Sequence, residues 1–165
     1  PDAQDFSAML WSDMPKPLWP QEAMPGQTVQ RLSSRGHWVV PIDLGPTRLN
    51  LMTFHATTPV FDGPEDRNGR RNHDEIVFWQ HYLDGGFGPI PEGPFVLAGN
   101  ANLDPVDGEG RKAAILGLLN DPRLQDPRPR GPGAPNTPGH QGDPPRLGGY
   151  HARLIAFLDA LGPSG

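Results

Sequence analysis

The sequence predicts an α/β fold in a single domain, and three observations carry that expectation. Two β-rich runs, 37–42 and 48–54, lie either side of a turn-rich connector. A short buried-type strand follows at 95–98, and the segments between and after these runs repeat apolar residues at helical spacing. Strands alternating with amphipathic helices imply a sheet covered by helices. At 165 residues the chain suits one domain, which buries roughly two thirds of the surface its unfolded form exposes. With 21 glycines and 22 prolines, much of it must be loop.

An extended N-terminal region comes first. The connector Asp43-Leu44-Gly45-Pro46-Thr47 has hairpin length, so runs 37–42 and 48–54 read as an antiparallel pair. The second run sets Leu49, Leu51 and Thr53 against Asn50, Met52 and Phe54, and apolar groups on both faces suit a strand held between layers. Asn72, with Glu75 three residues on, has the form of a capping box, and Gly85-Gly86 supplies a stop, which together predict a helix near 73–84. Ile76, Trp79 and Leu83 share one face of it with Phe78 and Tyr82 beside them, the pattern of core packing. After the strand at 95–98, Asp107 is placed to cap a helix over about 109–119, ended by Asp121-Pro122. The three strands are expected in one sheet. In 127–149, 13 of 23 residues are Pro or Gly, a composition that neither helix nor ladder tolerates. Beyond it, 150–162 reads as an amphipathic helix on Leu154, Ile155, Phe157, Leu158 and Leu161.

Composition excludes several classes. A formal charge of −5 argues against a broadly basic nucleic-acid binder, because nonspecific affinity comes largely from Lys and Arg displacing phosphate counterions. Without cysteine there is no disulfide frame and no thiolate metal site. No apolar run approaches the ~20 residues of a membrane helix, and no charged-then-apolar leader opens the chain. A soluble protein is expected, its compartment (bacterial cytoplasm, or exported if a leader was lost) undetermined.

Chemistry concentrates where strands end, since a rigid sheet positions the loops there. Phe54-His55-Ala56-Thr57-Thr58-Pro59 puts a histidine directly after one strand, and Gly99-Asn100-Ala101-Asn102-Leu103-Asp104 puts two amides and a carboxylate after another. Each has a plain alternative: a hydrogen-bonded structural histidine, and Asx turn chemistry. A metal site from His55, His73 and His81 is disfavoured, because the last two stand eight residues apart on one helix, too far for one zinc ion.

Together, the two strand ends resemble the endonuclease/exonuclease/phosphatase superfamily of deoxyribonuclease-like, metal-dependent phosphoesterases, which shows His-Ala after one strand and Gly-Asp-x-Asn after another. The stretch Phe61-Asp62-Gly63-Pro64-Glu65-Asp66-Arg67-Asn68-Gly69-Arg70-Arg71-Asn72-His73-Asp74-Glu75, with Asn102-Leu103-Asp104-Pro105-Val106-Asp107-Gly108, resembles a bacterial branch of it. The resemblance runs from about residue 6 to residue 147. It implies a four-layer sandwich of two sheets flanked by helices, here partial, over 1–147, as an internal fragment of a longer protein.

The same resemblance implies divalent-metal-dependent phosphoester hydrolysis. His55 falls at the family's phosphate-binding or proton-donating histidine, Asn100 at the Asp that orients or deprotonates water, and Asn102 at the Asn that positions water and phosphate. Arg71, with Arg70, is a candidate phosphate grip, a solvated helix start being the alternative. Mg²⁺ is the implied cofactor, but the family's metal-binding Glu has no counterpart here, nor does its Asp-His pair, so no metal ligand is assigned. Asn100 departs from the pattern: a carboxamide has no basic site near neutral pH, and losing a general base typically costs ~10²–10⁴ in rate. An inactive domain, or a noncatalytic descendant that binds phosphate-bearing ligands, is the alternative. The expected partner is a phosphoester substrate, nucleic acid or small molecule, with no membrane, and with self-association through exposed sheet edges.

Overall fold

A computed structural model of the protein describes residues 2–19, 29–106 and 109–127. In chain order these form β1 (Gln4–Asp5), a 3-10 turn (Trp11–Asp13), β2 (His37–Asp43), β3 (Arg48–His55), α1 (Arg67–Leu83), β4 (Phe95–Asn100) and α2 (Ala113–Leu119). The strands make one sheet in the order β1-β2-β3-β4. The expected hairpin is present: β2 and β3 pair antiparallel from His37 opposite Phe54 to Asp43 opposite Arg48. β4 then pairs parallel to β3 from Asn50 opposite Phe95 to His55 opposite Asn100. A parallel neighbour requires a crossover connection, and α1 is that crossover.

The start of α1 differs from the sequence expectation. The helix begins at Arg67, not beside Asn72, after Asp66 in a left-handed conformation at φ 52°. The cause is the preceding loop. Asp62 accepts the Asn68 N–H, and the Asn68 side-chain amide donates to the Val60 carbonyl at 2.9 Å, so the first turn is anchored to the loop before it. Asn72 and Glu75 are left inside the helix with their side chains turned toward other elements. The stop is as expected. Gly85, at φ 78°, donates to Tyr82 O at 2.9 Å and Gly86 to His81 O at 2.8 Å, the paired bonds of a Schellman ending.

The expected core face of α1 is buried: Ile76, Phe78, Trp79 and Tyr82 are almost wholly enclosed, against Val39, Met52, Phe54 and Leu97 of the sheet. Phe78 and Phe87 stack with ring centroids 4.7 Å apart, and Phe54 meets Trp79 edge-on at 5.8 Å. α2 packs on α1, with Ala114, Ile115 and Leu118 in the same core. It begins at Ala113 rather than near residue 109, because Gly110 takes a left-handed φ of 105° and turns the chain before the helix can start. At Gly110 an added Cβ would sit within 3.0 Å of Pro59 and Leu103.

The described residues thus supply one sheet with one helix layer, an α/β half-sandwich. The opposite face of the sheet is uncovered by them: Trp38 and Val40 are each 36% exposed, while their neighbours Val39 and His37 are buried. The Asp107 cap, most of the Pro/Gly-rich stretch and the helix expected at 150–162 lie outside the described residues. No helix among the described residues is long and apolar enough to cross a membrane.

Candidate functional site

The two strand ends singled out in the sequence lie side by side. β3 and β4 run parallel and finish in register, so His55 stands directly opposite Asn100. Two residues further on, Asn102 adopts a left-handed φ of 47°, a conformation that Asn tolerates better than most residues. That turn brings its side chain back over the strand ends. Asn102 Nδ2 donates to the Ala56 carbonyl at 2.7 Å and lies 3.4 Å from His55 Nε2, at the long end of hydrogen-bond range. An imidazole nitrogen that accepts from this amide carries its own proton on Nδ1 when neutral.

Asn100 completes the turn. Its Oδ1 accepts the Asn102 backbone N–H at 2.9 Å, and its Nδ2 donates to Asn102 Oδ1 at 3.1 Å. His55 is exposed, while Asn100 and Asn102 are half-buried, so the three present one imidazole and two amides at an open edge of the sheet.

Behind them stands the first half of α1. Asn72, fully buried, donates from Nδ2 to Thr57 O and to Ala101 O, both at 2.7 Å. Glu75, one turn on and equally buried, accepts the Thr57 N–H at 2.5 Å and the Ser34 N–H at 2.6 Å. Ser34 Oγ in turn donates to the His55 carbonyl at 3.0 Å. Burial pushes the Glu75 carboxyl above the usual carboxylate range, against the opposing pull of the Thr57 and Ser34 N–H groups. Asp74 is committed elsewhere: it accepts the Trp11 indole N–H at 2.6 Å and the Leu18 N–H at 2.7 Å, which ties the N-terminal segment to α1.

Arg71 is bonded to residues 31–32 rather than to the strand ends. Its Nε donates to Leu32 O at 2.8 Å and its Nη2 to Arg31 O at 2.9 Å, so the guanidinium fastens residues 31–32 to the helix. Burial lowers its pKa from the ordinary arginine value. His37, fully buried beside Phe54, Phe78 and Trp79, donates from Nε2 to the Glu75 carbonyl at 2.8 Å. Removal from water holds its pKa down at about 4; the bond to Glu75 opposes that shift and the charge of Arg71 adds to it.

The described residues fit a divalent cation poorly. Among the described residues no three His, Cys, Asp or Glu side chains gather at one point. Asp74 and Glu75 are spent on N–H groups, and Asp104 Oδ1 accepts the Val106 N–H at 2.8 Å. The oxygens of Asn100 and Asn102 are neutral and already bonded to each other's nitrogens.

No protein-family profile matches the sequence, and no curated protein matches it. Two solved structures are similar to part of the chain. Sphingomyelinase C from Streptomyces griseocarneus is 20% identical over 62% of this chain and 32% of its own, with a TM-score of 0.41. A double mutant of beta toxin from Staphylococcus aureus, with bound magnesium ions, is 10% identical over 85% of this chain and 46% of its own, with a TM-score of 0.48. The chain thus spans less than half the length of either protein.

Sequence reasoning found His55, Asn100 and Asn102 as neighbours but missed what holds them. Asn72 and Glu75 were read as helix caps. A signal was present: with Ile76 and Trp79 they stand at i, i+3, i+4 and i+7, two polar residues set into the apolar stripe of a helix. Polar groups on a core-facing stripe must find buried partners.

Proposed function

We propose that this chain carries the strand-end half of a phosphoester-hydrolase site of the endonuclease/exonuclease/phosphatase superfamily, with His55 and Asn102 as its phosphate-handling groups. One observation carries the reading: the imidazole and the Asn102 amide lie 3.4 Å apart on adjacent strand ends that finish in register. The exposed ring can offer its Nδ1–H, and the Asn102 amide can release its long contact to Nε2 while keeping its bond to Ala56, so that both address oxygens of one phosphoryl group. His55 supplies a proton-bearing nitrogen for a bound or departing oxygen, and Asn102 orients the phosphoryl group or the attacking water. A divalent cation would neutralise charge on the phosphoryl oxygens, but the described residues do not complete a site for one, so no step is assigned to it. Arg71 is left out of the contact set because its Nε and Nη2 are held by the Leu32 and Arg31 carbonyls.

Hydrolysis of bis(p-nitrophenyl) phosphate by the full chain, with and without added Mg²⁺, tests the reading. Turnover that falls at least tenfold in His55→Ala supports it; turnover indifferent to His55→Ala and Asn102→Ala refutes it.

A second reading has its own support. Asn100 offers no base, and its amide is satisfied within the turn, so the site suits binding without turnover. In that case calorimetry with inorganic phosphate records heat that His55→Ala abolishes, while no phosphoester is cleaved. Absence of both heat and cleavage in the wild-type chain rejects both readings.

A further inference from the structure

We propose that Asn72 is a positioning residue for the strand-end site, a single amide that sets the separation of His55 and Asn102. The geometry is specific. One Nδ2 atom has two hydrogens, and here each goes to a carbonyl at 2.7 Å on a different strand-end loop, Thr57 after β3 and Ala101 after β4. Thr57 lies two residues past His55, and Ala101 stands between Asn100 and Asn102. The two loops that carry the site are therefore spanned by one side chain that is wholly enclosed and cannot drift.

Glu75 reinforces the span. It accepts the N–H of the same Thr57 whose carbonyl Asn72 holds, so the two peptides that flank Thr57 are both held from one helix turn. It also accepts the Ser34 N–H, and Ser34 Oγ reaches the His55 carbonyl. Beyond the backbone ladder, the contacts that cross between the loops are the Asn72 amide and the Asn102 amide itself, bonded to Ala56 O. Removing the Asn72 donors would leave Asn102 as the side chain that holds the loops, beside the backbone bond from Ala56 N–H to Asn100 O, on a turn that is already left-handed. The consequence for catalysis rests on the phosphate-site reading above, but the positioning itself does not.

The test is nuclear magnetic resonance on the isotope-labelled full chain, with inorganic phosphate as probe. In the wild type, both Asn72 side-chain amide protons should exchange slowly and show couplings across hydrogen bonds to the Thr57 and Ala101 carbonyls. In Asn72→Asp, which keeps the shape and removes the donors, and in Asn72→Ser, which can reach at most one carbonyl, the nuclear Overhauser contact between the His55 ring and the Asn102 amide should be lost. The β2–β3 cross-strand contacts should persist, and phosphate affinity should fall at least tenfold. Ile76→Val, a core change on the same helix, serves as control and should leave the His55–Asn102 contact and the affinity unchanged. Retention of that contact in the folded Asn72 variants overturns the proposal, as does its loss in the Ile76→Val control. If neither Asn72 variant folds, fast exchange of the Asn72 amide in the wild type is the overturning result and slow exchange with both couplings the supporting one. If the wild type gives no phosphate shift, the phosphate reading fails and the Overhauser contact alone decides the positioning.

Discussion

The Asn100 side chain donates to Asn102 Oδ1 at 3.1 Å while its own oxygen accepts the Asn102 backbone N–H at 2.9 Å. The two amides satisfy each other, and Asn102 cannot turn over without facing its oxygen at the Ala56 carbonyl, to which its nitrogen now donates. An aspartate at 100 would keep the bond to the backbone N–H but set a charged oxygen against Asn102 Oδ1. Asn100→Asp should therefore lower stability by about 1–3 kcal/mol in metal-free buffer, the usual cost of a bond made repulsive. It should also raise phosphodiester cleavage by ~10²–10⁴, the usual worth of a general base. Urea unfolding and a Mg²⁺-supplemented cleavage assay measure the two effects, and a variant unchanged in both would show that Asn100 does not occupy the base position.

His37 makes stability depend on pH in a definite direction. Its folded pKa, about 4, lies below the ordinary value of 6.5, so the folded state favours the neutral ring. The unfolded chain takes up the proton first as pH falls. Stability is complete above 6.5 and is lost progressively between 6.5 and 4, by up to about 3 kcal/mol. Urea midpoints at pH 7.5 and 4.5 should differ accordingly, and His37→Phe should remove most of that difference.

Arg71 is expected to act on stability rather than on phosphate. Arg71→Ala strips donors from the Leu32 and Arg31 carbonyls, for an expected cost of about 1–3 kcal/mol. Phosphate affinity, compared under conditions where both proteins are folded, should change less than twofold; a tenfold loss would return Arg71 to the phosphate contact set.

The sheet face left uncovered by the described residues makes association testable. Trp38 and Val40 project from the side of β2 away from α1, and β4 has β3 as its one strand neighbour among the described residues. Apolar surface on a sheet favours pairing between copies. Sedimentation at rising concentration should show self-association, reduced in Trp38→Lys; a monomer at all concentrations would argue that the face is otherwise covered.

Strands β2, β3 and β4 were legible because their evidence is local, whereas β1 was foreseen only as extended chain. Alternation and a hairpin-length connector located β2 and β3, and the polar residues after each apolar run located the strand ends. Their juxtaposition was not local evidence: His55 and Asn100 meet only through a parallel pairing across a helical crossover, and it was motif resemblance that joined them. The start of α1 was misread for a physical reason. Asn and Glu three residues apart satisfy a cap equally well as local geometry, but burial gave them Thr57, Ala101 and Ser34 as partners instead. The direction of Arg71 was likewise invisible, since it depends on residues 31–32 crossing over the helix.

The mixed sheet has a further consequence for the order in which the molecule assembles. β2 and β3 meet across a short connector, so their pairing closes a small loop and is fast. The β3–β4 pairing must wait for the whole crossover, with its larger closure entropy, before any contact rewards it. This topology favours an order in which His55 is set in place with the hairpin before Asn102 is brought beside it.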